Sequence, residues 1–383
     1  MPLRALCYAE LWGLRNVVAK SVRNCKIVAL LQKRKEPPEQ FRKLLTMCEI
    51  SAIMKLLHKH KGVIHTLAHL DYSRLQPICQ EDILRDIDSR GKERPWHVRK
   101  LDNMYISAAY ETFNRRKAQR VAACADGLLF KRTEAGRLKL IQAAFCRVRL
   151  CPMCSWRRSL KTHSHMTKIL AAAPEDLRYI MVTLTLRNCS GDELSGTLDK
   201  LISGFTALTR RKRVAAAWRG WYRGVEVTHN VREDTFHPHI HALVAVNKRY
   251  FKNTEYISQA ELAELWRDCC GLDYDPVIDV RKCYGQTVHA VSEVAKYTTK
   301  TADIVDFDDW DLTVQTLQVL DKAFDRRRFI AYGGEFKRLH KALNLDDTED
   351  GDLTDIGESE DKTAENAPEL LFFWHTGYAR YVK

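Results

Sequence analysis

The sequence predicts an α+β fold built around an antiparallel hairpin. Three observations predict it. Apolar, β-branched segments recur at strand length, as in "LRYIMVTLTLRN" (Leu177–Asn188) and "WYRGVEVTHN". Segments with apolar residues at helical spacing alternate with them, such as "SQAELAELWRDCC". The strands Val225–Val231 and Ile240–Val246 are joined by a short polar turn, which favours an antiparallel pair inside a mixed sheet.

At 383 residues the chain can bury a sizeable core in two or three structural units. Its composition, 45% hydrophobic and 29% charged, is that of an ordinary globular protein. The net charge of +13 hides an asymmetry: residues 346–365 hold ten acids and one lysine, so the rest carries +22. A basic body points to a polyanionic partner, nucleic acid being the commonest. No apolar run spans a bilayer. "NCKIVALLQKRK" flanks its short apolar core with cations, against a signal peptide. The expected location is therefore a reducing cytoplasm, where the twelve cysteines are packed thiols or metal ligands.

In chain order, residues 1–100 are basic and mostly helical, with "QFRKLLTMCEISAIMKLLHKH" the clearest amphipathic stretch. Their role is not assigned. Residues 101–174 open with a helix over Met104–Cys124, pass through a hairpin-like section and a cysteine segment, and close with the helix "WRRSLKTHSHMTKIL" near Pro174. Residues 175–305 hold four strands, the fourth in "DPVIDVRKC", and the helix "VSEVAKYTTK". Residues 306–343 are predicted helical with a break at Gly333–Gly334. The acidic stretch 344–368 has few apolar residues and is predicted disordered. The aromatic tail 369–383 should dock back on the body.

"TFHPHIHALVAV" carries the first chemistry. Residues two apart share a face of a strand, so His239 and His241 stand side by side. His237 precedes Pro238, which marks the strand's start. A lone strand histidine is usually a satisfied core residue; an adjacent pair calls for a shared metal or hydrogen-bond partner. H-E-x-x-H is absent, and no glutamate follows the pair as a cupin-type site would need. Glu226 on the preceding strand can face the pair, whereas His229, three residues on, faces away. Two imidazoles and a carboxylate with open positions suit Mn²⁺ or Mg²⁺, with Zn²⁺ the alternative.

Glu293 and Tyr297 lie four apart on one helix face, and Lys296 and Lys300 on a neighbouring stripe. Such pairs are common and usually structural. Beside a metal, however, a tyrosine can attack phosphorus and keep the ester's free energy in a phosphotyrosine. No G-x-x-x-x-G-K-[ST] phosphate loop is present.

Cys146, Cys151 and Cys154 form a knuckle suited to tetrahedral thiolate coordination. Cys124 is the leading fourth ligand, with His163 and His165 as alternatives. A redox C-x-x-C pair lacks its βαβ context here, so a structural Zn²⁺ in a ribbon-like insertion is expected. Arg157, Arg158 and Lys161, just after it, are candidate DNA phosphate contacts, with a solvated helix face as the plain alternative. Cys269, Cys270 and Cys283 read as packed thiols.

Taken in order, "FCRVRLCPMCSWRRS", "IMVTLTLRN", "HPHIHALVAV", "DYDPVIDVRK", "SEVAKYTTK" and "FIAYGGEFKRLHKAL" resemble the single-tyrosine rolling-circle replication initiators of plasmids, within the HUH endonuclease superfamily. The resemblance covers roughly Cys124 to Leu343. It implies an antiparallel core related to the RNA-recognition-motif arrangement, with His239 and His241 on the divalent ion and His237 outside the pair. It implies that Tyr297 forms a 5′-phosphotyrosine at the origin and that Glu293 activates water for the terminating cleavage. Lys296 and Lys300 would stabilise phenolate or phosphate charge. The implied partners are single-stranded or extruded origin DNA and a host helicase, DNA polymerase and single-strand-binding protein. An HUH transposase or mobilisation relaxase is the nearest alternative, and the "YGGEFK" and "CPMC" segments favour the replication type. A non-catalytic zinc-containing DNA-binding regulator explains the charge and the cysteines, but neither the aligned histidines nor the tyrosine helix.

Overall fold

The computed structural model describes residues 80–283, 309–357 and 362–383. Apart from residues 309–310 and 375–379, these belong to one compact unit. The N-terminal helices expected before residue 80 and the "VSEVAKYTTK" helix lie outside the described residues.

The first helix expected, Met104–Cys124, is two. Helix α1 runs Trp96–Glu111 and α2 runs Arg115–Ala122. Asn114 separates them, because its side chain accepts the Lys117 N–H (3.1 Å) and so starts a new helix. Strands β1 (Gly127–Arg132) and β2 (Leu138–Ala143) form the hairpin that follows. Helix α3, Pro152–Ala171, starts with Pro152 in its first turn, where a missing N–H costs nothing.

The central sheet collects β3 (Leu177–Thr185), β4 (Gly220–Asn230), β5 (Thr235–Asn247), β6 (Ile278–Lys282) and β7 (Ile330–Gly333) in the order β6-β3-β5-β4-β7. All four pairings are antiparallel, so the mixed sheet read from the alternation of elements is corrected. The helices between strands are α4 (Leu194–Arg210), the short α5 (Lys212–Ala217) and α6 (Gln259–Cys270). Ser258 caps α6 by accepting from the Glu261 N–H, and Gly271 ends it at φ 58°.

The region 306–343, expected to be helical, also contains a strand. Helix α7 (Trp310–Ala323) and helix α8 (Gly334–Ala342) flank β7, which pairs with β4. A four-residue strand beside a glycine pair carries too little periodicity to stand out in sequence. Gly333 is required there: a Cβ would sit 2.1 Å from the Trp221 ring.

Each face of the central sheet packs on helices. On one, Leu177, Tyr222, Leu243, Ala245 and Ile330 join Met166, Ile169 and Leu170 of α3 and Phe336 and Leu339 of α8. On the other, Val182, Leu184, Ile240, Ala242 and Val244 are fully buried, as are Leu198, Leu201 and Phe205 of α4 and Trp266 of α6. Each Val, Leu, Ile, Met or Phe among them contributes roughly 1.5–3 kcal/mol by leaving water. The tail's strands β8 (Leu370–His375) and β9 (Arg380–Val382) extend the β1–β2 hairpin into a second sheet, ordered β2-β1-β8-β9.

Candidate metal centres

Strand β5 explains its own histidines. Its face toward α3 and α8 reads His239, His241, Leu243, Ala245 by alternation. Leu243 and Ala245 enter the core, leaving the histidines at the other end of the same face. The register places Glu226 of β4 directly across from His239, and Thr183 of β3 across from His241.

Glu226, His239 and His241 thus converge, their ligand atoms within 4.8 Å of one another. Glu226 Oε2 lies 3.4 Å from Nε2 of both histidines. His239 Nδ1 is 3.0 Å from the His237 carbonyl, and His241 Nδ1 is 3.1 Å from Thr183 Oγ1. Both outer nitrogens are engaged, so both Nε2 atoms are aimed at Glu226, the arrangement found around metal-binding imidazoles. Burial would raise the Glu226 carboxyl, but hydrogen bonds and charge from His239 and His241 outweigh it and hold it at about 2. Gly224 lies across from His241, where a side chain would crowd the Tyr222 hydroxyl at 3.1 Å. His237 stacks on His239 (4.9 Å). His229 points to the other face, stacked on Phe236 with Nε2 on Asp234 (2.9 Å).

The donor set of two nitrogens and one oxygen fits a divalent ion. Ligands at about 2.1 Å in an octahedral site stand about 3 Å apart, near the observed 3.4 Å.

The four cysteines form a second cluster, their sulfurs also within 4.8 Å. Cys124 and Cys154 are 3.6 Å apart, and Cys146 and Cys154 3.7 Å. Zinc–sulfur bonds of about 2.3 Å in a tetrahedron demand sulfurs about 3.8 Å apart, so the cluster fits zinc. His163 and His165 are not part of it. Cys151 caps α3, so Cys154 lies in the helix's first turn, which favours a thiolate. Hydrogen bonds from the neighbouring thiols pull the Cys154 thiol well below the usual range. The Arg147 N–H, on a residue at φ 59°, points at Cys154 (3.3 Å), and the Cys146 N–H points at Cys124 (3.4 Å).

Two supporting residues are missing from the sequence reading. Asn103 Oδ1 accepts from the Cys151 thiol (3.3 Å) and the Met153 N–H (3.0 Å). Lys100 donates to the Ala122 and Cys124 carbonyls and to Asp126. Both are buried on the apolar stripe of α1 beside Trp96, Ile106 and Tyr110. Polar residues on an otherwise apolar stripe were the available signal.

Two expectations are corrected together. Residues 346–357 are not a loose acidic segment but a strap along α3. Arg157, Arg158 and Lys161 are buried beneath it rather than presented to DNA. Arg157 donates to the Leu353 and Thr354 carbonyls (2.8 Å each), Arg158 to the Glu349 and Arg147 carbonyls, and Lys161 to Asp346. Glu349 is itself buried and accepts from the Phe329 N–H (3.2 Å) and from Arg149. A buried charge needs such a partner: Lys161 and Arg149 meet carboxylates, whereas Arg157 and Arg158 are held by backbone carbonyls. Glu293, Lys296, Tyr297 and Lys300 lie outside the described residues.

The family model described as "Replication protein" matches residues 137–382. "Protein rep" of Bacillus amyloliquefaciens is 39% identical over 329 residues, covering 78% of this chain and 97% of the relative. "Protein rep" of Streptococcus pneumoniae serotype 2 is 36% identical, covering 79% and 96%. "Protein rep" of a Bacillus species is 41% identical over a shorter span, 63% and 85%. No solved structure matches the chain. A family match that takes in Glu226, His239, His241 and three of the four cluster cysteines, with relatives aligned over nearly their whole length, shows that this chain belongs to the Replication protein family, the plasmid rolling-circle replication initiators that its motifs resemble.

Proposed function

We propose that the chain nicks one strand of its plasmid origin through Tyr297 and later closes and releases the displaced strand, with a divalent ion held by Glu226, His239 and His241. The convergence of those three side chains carries the reading. The ion would be Mg²⁺ or Mn²⁺ and would polarise a phosphodiester oxygen. Glu226 contributes negative charge to the site. His237 and Thr183 hold the two imidazoles so that each presents an Nε2 lone pair.

The Tyr297 oxygen forms a bond to phosphorus while the bond from phosphorus to the 3′ oxygen breaks. The phenol's proton leaves, and the departing oxygen takes one up to become a 3′-hydroxyl. An ordinary tyrosine pKa of about 10 makes this unfavourable unaided, and the charges of Lys296 and Lys300 would ease it. For termination, Glu293 would take a proton from water, whose oxygen bonds to phosphorus as the bond from phosphorus to the 3′ oxygen breaks, leaving a 5′-phosphate and, once that oxygen is protonated, a free 3′-hydroxyl. The attacked phosphate must be exposed, so single-stranded or extruded DNA is the substrate. Host helicase, polymerase and single-strand-binding protein would complete replication. The cysteine cluster would hold a structural Zn²⁺.

A Tyr297→Phe variant should form no covalent adduct with a single-stranded origin oligonucleotide; an adduct of undiminished yield removes Tyr297 from the mechanism. His239→Ala should lose metal-dependent cleavage by at least about a thousandfold, since the ion and its charge stabilisation go together. Full cleavage by that variant would defeat the metal site. Glu293→Ala should keep nicking and lose hydrolytic release.

A further inference from the structure

The loop after β5 exposes two aromatic rings on a rigid frame. Tyr250 is buried, and its hydroxyl accepts the Ile257 N–H (3.1 Å) and donates to the Ile257 carbonyl (3.3 Å), closing the loop on itself. The Arg213 guanidinium donates to the Thr254 and Tyr256 carbonyls (2.6 Å each) and to Glu261 (2.8 Å), pinning the loop from outside. Phe251 and Tyr256 nevertheless remain 39% and 44% exposed. With Tyr250, Gln259, Val280 and Lys282 they line an open groove of about 330 Å³, at the small end of ligand sites.

Positive charge dominates around this groove. Lys248, Arg249, Lys252 and Lys282 are all exposed. The Lys282 ammonium lies 5.0 Å from the Phe251 ring centre. Of the nearby acids, Glu261 is paired with Arg213, while Glu255 accepts from the neutral Asn247 amide (2.8 Å) and keeps its charge. Exposed rings interleaved with cations are what an unpaired nucleic-acid strand needs, a flat face for a base and positive charge for its phosphates.

The groove is separate from the metal site. Along β6, Asp279 pairs with Thr183 and so shares the histidines' face, whereas Val280 and Lys282 alternate to the other.

We propose that Phe251 and Tyr256 form a base-stacking site for single-stranded DNA, with Lys252 and Lys282 on its phosphates, anchoring the strand away from the cleavage centre. It rests on the proposed function only in taking single-stranded DNA as the ligand. The test uses the full chain in a Tyr297→Phe background, so that no adduct forms, and fluorescence anisotropy of a labelled oligothymidylate. Phe251→Leu and Tyr256→Leu should each weaken binding about five- to hundredfold, the range that base stacking supplies. Phe251→Trp should retain affinity. Duplex binding and melting temperature should not change. Unchanged oligothymidylate affinity in both leucine variants, equal losses on duplex, a tryptophan variant as weak as the leucine one, or no binding by the parent would each overturn the proposal. Adduct formation by Tyr297, measured separately in the native background, stands or falls without it.

Discussion

The two candidate metal centres differ in what they leave over. The cysteine cluster uses four ligands around a buried point, with Cys151 and Cys154 at the start of α3 and Cys124 and Cys146 bracketing the β1–β2 hairpin. A tetrahedral ion there is saturated and can only hold chain segments together. The Glu226–His239–His241 cluster offers three ligands at the end of a sheet face. An ion there keeps positions for a substrate oxygen. The difference teaches that ligand count and placement, not metal affinity alone, separate a staple from a reaction centre.

Breaking the staple should have the largest effect. Cys154→Ser leaves three thiols, and apparent folding energies of about 10–16 kcal/mol ride on such zinc sites in small domains. The variant should lose bound zinc by elemental analysis and fail to fold around α3. A folded, zinc-free variant with native melting would show that the cluster does not hold the fold together.

The contrast sharpens with a gentler change at the open centre. Thr183→Val removes the oxygen that steadies His241 and leaves all three ligands in place. Loss of such a partner weakens metal affinity by about 10–100-fold. Titration of Mn²⁺ against cleavage should show a raised metal requirement that excess metal overcomes, with zinc content unchanged. A lower maximal rate at saturating Mn²⁺, with no change in metal requirement, would remove Thr183 from this positioning role.

The smallest effect is in acid. The Glu226 carboxyl is held at about 2 against an ordinary 4.5, so its stabilising contribution is whole above about 4.5 and is lost as pH falls through about 2. Glu226→Gln should flatten that limb of the melting-temperature profile in the absence of divalent ions. An unchanged acid limb would mean that the carboxylate gains nothing from its histidines.

Much of the open centre was legible because strand alternation is a rigid rule. Once β4 and β5 were antiparallel, Glu226, His239 and His241 had to share a face and His229 had to leave it. Thr183 was not legible, because its importance lies in a partner that only the fold supplies, and Asn103 showed only as a polar residue on an apolar stripe. Arg157, Arg158 and Lys161 misled for a related reason. Cations on a helix are usually solvated, and nothing local reveals that an acidic stretch almost two hundred residues on will cover them. The strand β7 was lost to its brevity.

That covering changes the electrostatic picture a plasmid would meet. Adding up charges along the chain suggests a strongly cationic particle trailing a loose anionic tether. Instead, Asp346, Asp347 and Glu349 are clamped on Lys161, Arg328 and Arg149, so the long-range attraction on the α3 side is quenched at its source. Deleting residues 346–357 as an expendable linker would therefore not merely subtract negative charge. It would uncork a trough of dehydrated cations, and the shortened protein should stick to any duplex offered, trading discrimination for indiscriminate grip.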